Sequence, residues 1–392
     1  MQDEAPSHKK LYIIIGIIVV LGTVFIAAYF YFRSHPDTSG TAGTTLPSGQ
    51  NTPNTSAQGQ NQQPVTTSVQ RGKLNVIATE PTVGATINKE GKSVIYFNQA
   101  TGHLFSNSFD GGKEERVSNV TIPAIQNVLW APSKTYTLLQ DYENDSLKNY
   151  YVKYASSTVQ VSNSILKSSS NFVFSPVEDK ILYSTTEHDV SALVIALPEN
   201  KNPKSIVTTE IPDFILSWPS KTMISLQMKS SAFAPSSLYT VNATTGTITK
   251  LLQDRNGLDS LWSPDGSYLL FSETNKKTTV LYLLTAKTGD IKSFTFSTLP
   301  NEKCTWSQKQ FDTVYCSIPQ YINGVDLPDD WWQGKTAFND SIWKINVAVG
   351  QATQLLEPSV FDITNMFISP NEDYVFFTNR KDGSLWSLHL SN

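Results

Sequence analysis

The chain of 392 residues carries a formal net charge of −4, from 30 Lys and Arg against 34 Asp and Glu. This slightly acidic balance gives no electrostatic support for nucleic-acid binding, which requires a basic face, so no nucleic-acid partner is expected. The length would allow two or three average domains, although an all-β fold can use all of it in one.

The N-terminal region predicts a membrane anchor. Residues 11–32 carry no charge, and at about 1.5 Å per residue they can cross a hydrocarbon core of about 30 Å. Lys9 and Lys10 precede this span, which favours a cytoplasmic tail at 1–10 and an extracytoplasmic location for the rest. A cleaved signal peptide is the alternative, but the aromatic residues at 29–32 resemble an interfacial belt. The sequence therefore predicts a single-pass protein of the cell membrane, in contact with the lipid bilayer through 11–32.

Residues 33–70 predict a disordered linker. They consist mainly of Thr, Ser, Gly, Gln, Asn and Pro, a composition with too little apolar surface to form a core. Such a linker would hold the folded part near the membrane without fixing its orientation.

A repeat organises the rest of the chain, from 71 to 392. Five aromatic anchors stand 44 positions apart, at Trp130, Phe174, Trp218, Trp262 and Trp306. Ile87 precedes this series by 43 positions, and Ile368 follows it after a longer interval. A period of about 40–45 residues with four short strands per unit is typical of a β-propeller. The seven anchors therefore predict an all-β, seven-bladed β-propeller, and their repetition favours packing between blades over a ligand cage.

Each anchor is followed by a predicted turn and a second strand, most completely at 261–272. Pro264, Asp265 and Gly266 favour a tight turn there, because Gly readily adopts a positive φ. The last blade contains only three predicted strands, whereas residues 73–78 form a predicted strand before the first anchor. We expect this N-terminal strand to complete the last blade and close the ring, which would remove an unpaired edge.

The segment Trp-Ser-Pro-Asp-Gly at 262–266 resembles the repeat of TolB-like, WD-type β-propellers. It is also similar to the propellers of prolyl oligopeptidase and dipeptidyl peptidase IV relatives, whose α/β-hydrolase domain this chain lacks. Together with the predicted anchor, Cys-Thr-Trp-Ser at 304–307 and Leu-Pro-Asp-Asp-Trp-Trp at 327–332 resemble segments of membrane-anchored bacterial propeller proteins. The resemblance implies the architecture and no particular activity.

The two cysteines of the chain, Cys304 and Cys316, flank the anchor hairpin of blade six. Each lies two residues from a predicted Trp306–Val314 pair, so the cysteines should face each other on neighbouring strands. In an oxidising extracytoplasmic compartment we expect a disulfide between them. Two small buried residues are the alternative.

An insertion at 317–340 interrupts blade six between its second and third strands. One interpretation is a binding loop, with Tyr321, Trp331 and Trp332 as aromatic anchors and with Asp326, Asp329 and Asp330 as polar or cation contacts. The other is a cover packed on the propeller, in which the aspartates serve as turn and cap residues. In either case we expect the insertion to overhang the mouth of the central channel.

No motif for catalysis is evident. The chain lacks a Gly-x-Ser-x-Gly elbow, a Gly-rich phosphate loop and a His-Glu-x-x-His zinc motif, and its five histidines are isolated. We therefore predict no catalytic residue, metal or cofactor. The expected function is that of a binding or scaffold module for a protein, a peptide or a cell-envelope glycan. A hydrolase or lyase site in the central channel and a structural subunit of a membrane complex are the alternatives.

Overall fold

The computed structural model describes residues 66–69, 72–118, 121–122, 124–143, 146–155, 158–163, 171–211 and 213–390. Within these ranges no helix is long and apolar enough to cross a membrane. The predicted tail at 1–10, the predicted span at 11–32 and most of the predicted linker lie outside the described residues, so they remain predictions.

The described chain forms seven sheets in the order of a propeller, and two strands precede the first blade. These two strands are β1 (Thr66–Val69) and β2 (Lys73–Ala78). Blade one contains β3 (Thr82–Ile87), β4 (Val94–Asn98), β5 (Leu104–Asn107) and β6 (Glu115–Arg116). Blade two contains β7 (Ile125–Trp130), β8 (Tyr136–Glu143), β9 (Ser146–Ala155) and β10 (Thr158–Asn163). Blade three contains β11 (Phe172–Phe174), β12 (Ile181–Glu187), β13 (Val190–Leu197) and β14 (Lys201–Thr209), with a 3-10 turn at Pro198–Asn200.

The remaining blades continue the same pattern of antiparallel strands, counted from the channel outward. Blade four contains β15 (Phe214–Ser220), β16 (Met223–Met228), β17 (Pro235–Asn242) and β18 (Ile248–Asn256). Blade five contains β19 (Asp259–Trp262), β20 (Tyr268–Asn275), β21 (Thr278–Thr285) and β22 (Ile291–Ser293). Blade six contains α1 (Pro300–Lys303), β23 (Cys304–Trp306), β24 (Thr313–Pro319), α2 (Asp329–Trp332), β25 (Asp340–Asn346) and β26 (Gln351–Leu356). Blade seven contains β27 (Ile363–Ile368), β28 (Tyr374–Asn379) and β29 (Leu385–His389).

The two ends of the propeller meet in blade seven, as predicted. Strand β2 pairs antiparallel with β29, with Lys73 opposite His389 and Leu74 opposite Leu388. The outer strand of the last blade is therefore supplied by the N-terminal part of the chain. This pairing joins residues more than 300 positions apart and removes the open edge of blade seven.

The linker predicted at 33–70 extends into a strand, β1, at its C-terminal end. Strand β1 pairs in parallel with β26 and gives blade six a fifth, outermost strand, with Thr66 opposite Gln351 and Val69 opposite Gln354. The expectation of disorder is therefore wrong for Thr66–Val69. These four residues lie at the end of a polar segment, but three of them are β-branched and favour a strand. The outer edge of β26 offers backbone hydrogen-bonding groups with which they can pair.

The anchors pack between neighbouring blades. Trp262 lies in one cluster with Leu238 and Leu252 of blade four, and Trp306 lies in another with Leu270 and Leu283 of blade five. Phe174, Trp218 and Trp130 occupy the equivalent places between the preceding blades. The prediction of core packing is therefore confirmed, and none of these aromatic residues forms a ligand cage.

The alternation of strands defines two faces of the propeller. Connections after each second strand and connections from one blade to the next emerge on the same face, because neighbouring strands within a blade are antiparallel. We call this face, which carries 229–234, 320–339 and 357–362, the insertion face. The turn at 307–312 lies at the other end of blade six.

Candidate functional site

The innermost hairpin of blade six is closed by a disulfide. Cys304 and Cys316 stand opposite each other in the β23–β24 register, with their Cα atoms 4.1 Å apart. Both side chains are buried in the cluster shared with blade five. The predicted disulfide is confirmed, and it fixes the start of β23 just below the insertion.

The insertion is anchored by an apolar cluster. Leu299, Ile322, Leu327, Trp331 and Phe338 pack together beneath it. Trp331 lies at the centre with only 2% of its surface exposed. Trp331 is therefore packed as the cover interpretation describes, because this side chain fills the space between the insertion and the blade.

The predicted aspartate contacts are engaged within the protein. Asp329 Oδ2 accepts a hydrogen bond of 2.7 Å from the backbone N–H of Ala232 in blade four. Asp330 Oδ2 accepts one of 2.9 Å from the N–H of Asp326, and Asp326 lies 3.6 Å from Lys277 Nζ of blade five. The three aspartates thus hold the insertion in shape and link it to blades four and five, whereas the cover interpretation gave them the role of turn and cap residues.

Two predicted aromatic residues do reach the surface of the insertion face. Tyr321 is 80% exposed, and Trp332 is 41% exposed while its Nε1–H donates to Glu302 Oε1 over 3.1 Å. Phe233, which the sequence analysis did not identify, is 74% exposed next to Ala232. The hydrogen bond between Ala232 and Asp329 holds the loop that carries Phe233 against the insertion. This face therefore combines exposed aromatic side chains with a fixed backbone.

Beneath the insertion lies a buried charged triad that sequence analysis missed. Lys303 Nζ lies 2.7 Å from Asp340 Oδ2 and 2.7 Å from Asp362 Oδ1, and it also donates to the Ile363 carbonyl over 2.9 Å. The side chains of Lys303, Asp340 and Asp362 have no exposed surface. All three ammonium hydrogens are used, which is the arrangement that a buried Lys requires.

Aromatic rings enclose this triad. The centroids of Trp331 and Phe338 each lie 5.2 Å from Lys303 Nζ. Trp331 Nε1–H donates to both oxygens of Asp362, at 3.1 and 3.0 Å. The Arg380 guanidinium stacks on the outer side of the indole, 4.4 Å from its centroid. The result is a fully buried site in which each charged group contacts an aromatic ring or an opposite charge.

The two carboxyl groups of the triad differ in their surroundings. Asp340 Oδ2 also accepts the backbone N–H of Ile363 over 2.7 Å, whereas its Oδ1 has no hydrogen-bond partner among the described residues. Burial raises the pKa of Asp340, although the charge of Lys303 acts in the opposite direction. Asp340 therefore binds a proton more readily than an exposed aspartate does.

A second pair of carboxyl groups lies where blades five and six meet. Asp259 is buried at the first position of β19, and its Oδ2 accepts the N–H of Asn301 over 2.9 Å. Burial and the charge of Glu302 raise the pKa of Asp259 well above its usual range. Burial also raises the pKa of Glu302, which Trp332 contacts from the insertion.

A sequence signal for these residues does exist. Asp259 and Lys303 each stand three positions before an aromatic anchor, Trp262 and Trp306 respectively. At the same position, blades two, three and seven have Asn127, Asn171 and Asn365. A comparison of the repeats would therefore have shown a recurrent polar position near the start of the innermost strand.

Other parts of the described structure contain fewer groups that could bind a ligand or react. No three His, Cys, Asp or Glu side chains converge there as a metal site. A shallow cleft of about 300 Å³ lies on the face opposite the insertion, lined by Tyr136, Leu197 and the charged residues Glu178, Lys180 and Glu199. Glu178 and Glu199 are already paired with Lys180 and Lys201.

The fold is that of known seven-bladed propellers. No family model matches the chain, and no curated protein matches it. Among solved structures, an oligogalacturonate lyase in complex with manganese has a TM-score of 0.54 at 10% identity, over 82% of this chain and 90% of that one. An oligogalacturonate lyase from Vibrio parahaemolyticus has a TM-score of 0.53 at 11% identity, over 82% and 91%. The tricorn protease has a TM-score of 0.52 at 9% identity, over 82% of this chain but 34% of that one. These similarities define the class of fold, and the TolB-like or WD-type relationship remains a resemblance of the repeat motif.

Proposed function

We propose that this protein is a membrane-tethered, extracytoplasmic propeller that binds a protein, a peptide or a cell-envelope glycan on its insertion face. The predicted span at 11–32 would hold it in the bilayer, and the linker would carry the propeller outward. Protease added to intact cells should then release a propeller-sized fragment, cut between 33 and 65. Full protection of the propeller would contradict this orientation.

The observation that supports binding is the exposure of Tyr321, Trp332 and Phe233 on a rigid support. Three aspartates, an apolar cluster and the Arg380 bond of 2.6 Å to the Trp331 carbonyl hold the backbone beneath them. An aromatic side chain on a fixed backbone loses little conformational entropy when it is covered, and it can bury a large area. Such residues are the usual centres of binding energy in interfaces.

Binding can be tested with the full chain and cell-envelope fragments. The variant Tyr321→Ala with Phe233→Ala should weaken retention by roughly 2 kcal/mol, because both rings are proposed contacts. Phe311→Ala is the matched control, since Phe311 is an exposed aromatic residue of blade six in the turn at the opposite end. Treating the fragments with protease or with glycosidase distinguishes a polypeptide ligand from a glycan. Equal retention of both variants would refute the proposed face.

A lyase or hydrolase is the second candidate, favoured by the Asp259–Glu302 pair. A carboxyl group with a raised pKa suits general acid or base catalysis, and solved lyases for an acidic oligosaccharide share the fold. In this proposal Glu302, which is only partly buried, contacts the substrate. The neighbouring Asp259 influences whether Glu302 is protonated. Turnover of acidic oligosaccharides that Glu302→Gln abolishes would support the enzyme. Binding of the same compounds without turnover would support the binding module.

A further inference from the structure

We propose that Lys303 and Asp340 become joined by an intramolecular isopeptide bond, with Asp362 as the proton carrier. Such a bond would be a covalent modification of the propeller itself. It would tie the start of the innermost strand of blade six to the start of its third strand. The inference is independent of the ligand that the insertion face binds.

The geometry places the reacting groups in contact. Lys303 Nζ lies 2.7 Å from Asp340 Oδ2, and both side chains are fully buried. Three further groups fix the positions of the reacting atoms: the Ile363 carbonyl and Asp362 hold the amine, and the Ile363 N–H holds Asp340 Oδ2. Holding an amine against a carboxyl group in this way supplies the proximity that condensation in water lacks.

Burial favours the protonated form of Asp340 that the reaction needs. An amine attacks only when it has lost its extra proton, and a carboxyl group is attacked far more readily when it is protonated. Trp331 and Phe338 exclude water from the triad, and a low-dielectric site disfavours separated charges. The raised pKa of Asp340 acts in the same direction.

The unequal hydrogen bonding of Asp340 assigns a role to each oxygen. Oδ2, which accepts the Ile363 N–H, is the carbonyl oxygen, and that N–H stabilises the negative charge that develops on it during attack. Oδ1, which has no hydrogen-bond partner among the described residues, is the hydroxyl oxygen that leaves. Asp362 contacts the amine through Oδ1 and is held in place by the Trp331 indole, so it can take and return protons.

The step balances without an oxidant or a co-reactant. Asp362 takes one proton from the Lys303 ammonium, and the free amine attacks Cγ of protonated Asp340 to form a C–N bond. The C–Oδ1 bond then breaks, and Asp362 passes the first ammonium proton to the departing hydroxyl so that water leaves. Asp362 takes a second proton from the nitrogen as the amide forms. The water contains Oδ1, the carboxyl proton of Asp340 and the first ammonium proton. The second ammonium proton ends on Asp362, and the third remains on the amide nitrogen.

The test is mass spectrometry of the full chain, reduced so that the Cys304–Cys316 disulfide is open. We expect an intact mass lower than that of the sequence by one water molecule. Trypsin should fail to cut after Lys303, because an acylated Lys is not a substrate. Segment 293–309 should therefore be recovered joined to segment 336–344, which contains Asp340. Linkage of 293–309 to 345–380 instead would identify Asp362 as the carboxyl group joined to Lys303 and overturn the assignment of roles.

Two variants separate the bond from a simple ion pair. Asp362→Asn keeps the shape of the side chain but cannot carry the proton, so we expect the mass of the uncondensed chain. Lys335→Arg, which changes an exposed Lys paired with Asp330 at 3.6 Å, should leave the water loss intact. Wild-type protein with the full sequence mass, free cleavage after Lys303 and a separate 336–344 peptide would overturn the proposal, whatever the folding state of the variants.

Discussion

Blades five and six share one repeat but differ in what stabilises them. Blade five follows the repeat completely: Gly266 has a φ of +75°, and Asp265 accepts hydrogen bonds from Ser263 and Ser267 within the turn. Blade six keeps the aromatic anchor but adds a disulfide, a buried triad, an insertion and a fifth strand. The comparison shows that the repeat builds the blade, while the special chemistry gathers where the period is broken.

The difference has an energetic consequence. The core of blade five is mainly apolar, with Asp259 and several Ser and Thr side chains buried beside it, so its stability depends chiefly on packing and on a well-formed turn. Blade six places a Lys and two Asp out of contact with water, and such groups stabilise a fold only while every partner remains in place. Blade six should therefore tolerate the loss of a single charged partner much less well than blade five tolerates a change in its turn.

The largest effect is expected from removing Lys303 from the triad. Whether Lys303 is an ammonium or is joined to Asp340, Lys303→Met takes away the partner of two buried carboxyl groups, and we expect a loss of about 3–5 kcal/mol in the free energy of unfolding. Lys335→Met is the control, because its exposed ion pair should contribute at most about 1 kcal/mol. Urea titration measures both. Similar midpoints for the two variants would show that the triad does not stabilise blade six.

Removing the disulfide should have a smaller effect. Cys304→Ser with Cys316→Ser opens a short loop, and we expect a loss of roughly 2–3 kcal/mol. Reduction of the wild-type protein should lower the melting temperature as much as the double substitution does. A reduced protein that melts together with the oxidised one would mean that packing alone holds the hairpin.

The junction between the two blades should respond to pH. Because its pKa is raised, Asp259 binds a proton more tightly in the folded state than in the unfolded chain, where its pKa is about 3.9. Stability should therefore fall as the pH rises from that value, by at most about 1.4 kcal/mol per pH unit. Asp259→Asn should flatten this part of the stability profile. An unchanged slope in the variant would show that Asp259 is ionised in the folded protein.

A smaller effect is expected in the turn of blade five. Gly266→Ala forces a β-carbon onto a residue with positive φ, and we expect a loss of about 1 kcal/mol. The nearest atom to that β-carbon would be the flexible end of Met223, at 2.8 Å, so strain in the backbone should dominate. Thermal melting against wild type measures the change, and a stabilised variant would contradict the turn geometry.

The sequence predicts the propeller well, because each blade repeats one local pattern. The spacing of the anchors, the closing strand at 73–78 and the Cys304–Cys316 pair all follow from period and register. The site is harder to predict, because Lys303 ends α1, Asp340 begins β25 and Asp362 precedes β27, and the three meet only after the blades have packed. Trp331 and Trp332 are adjacent in sequence, and only the fold decides which of them faces the core. Strand β1 was missed because its pairing depends on an edge that the sequence does not display.

The most direct test of the account treats these two neighbours separately. Trp331→Ala should lower the free energy of unfolding by about 3–5 kcal/mol, because it empties the space above the triad. Trp332→Ala should leave the melting temperature nearly unchanged and should reduce retention on cell-envelope fragments. Melting and retention measured on both single variants decide the matter. A stable Trp331→Ala variant, or a Trp332→Ala variant with full retention, would contradict the picture of a fixed cover that presents a binding surface.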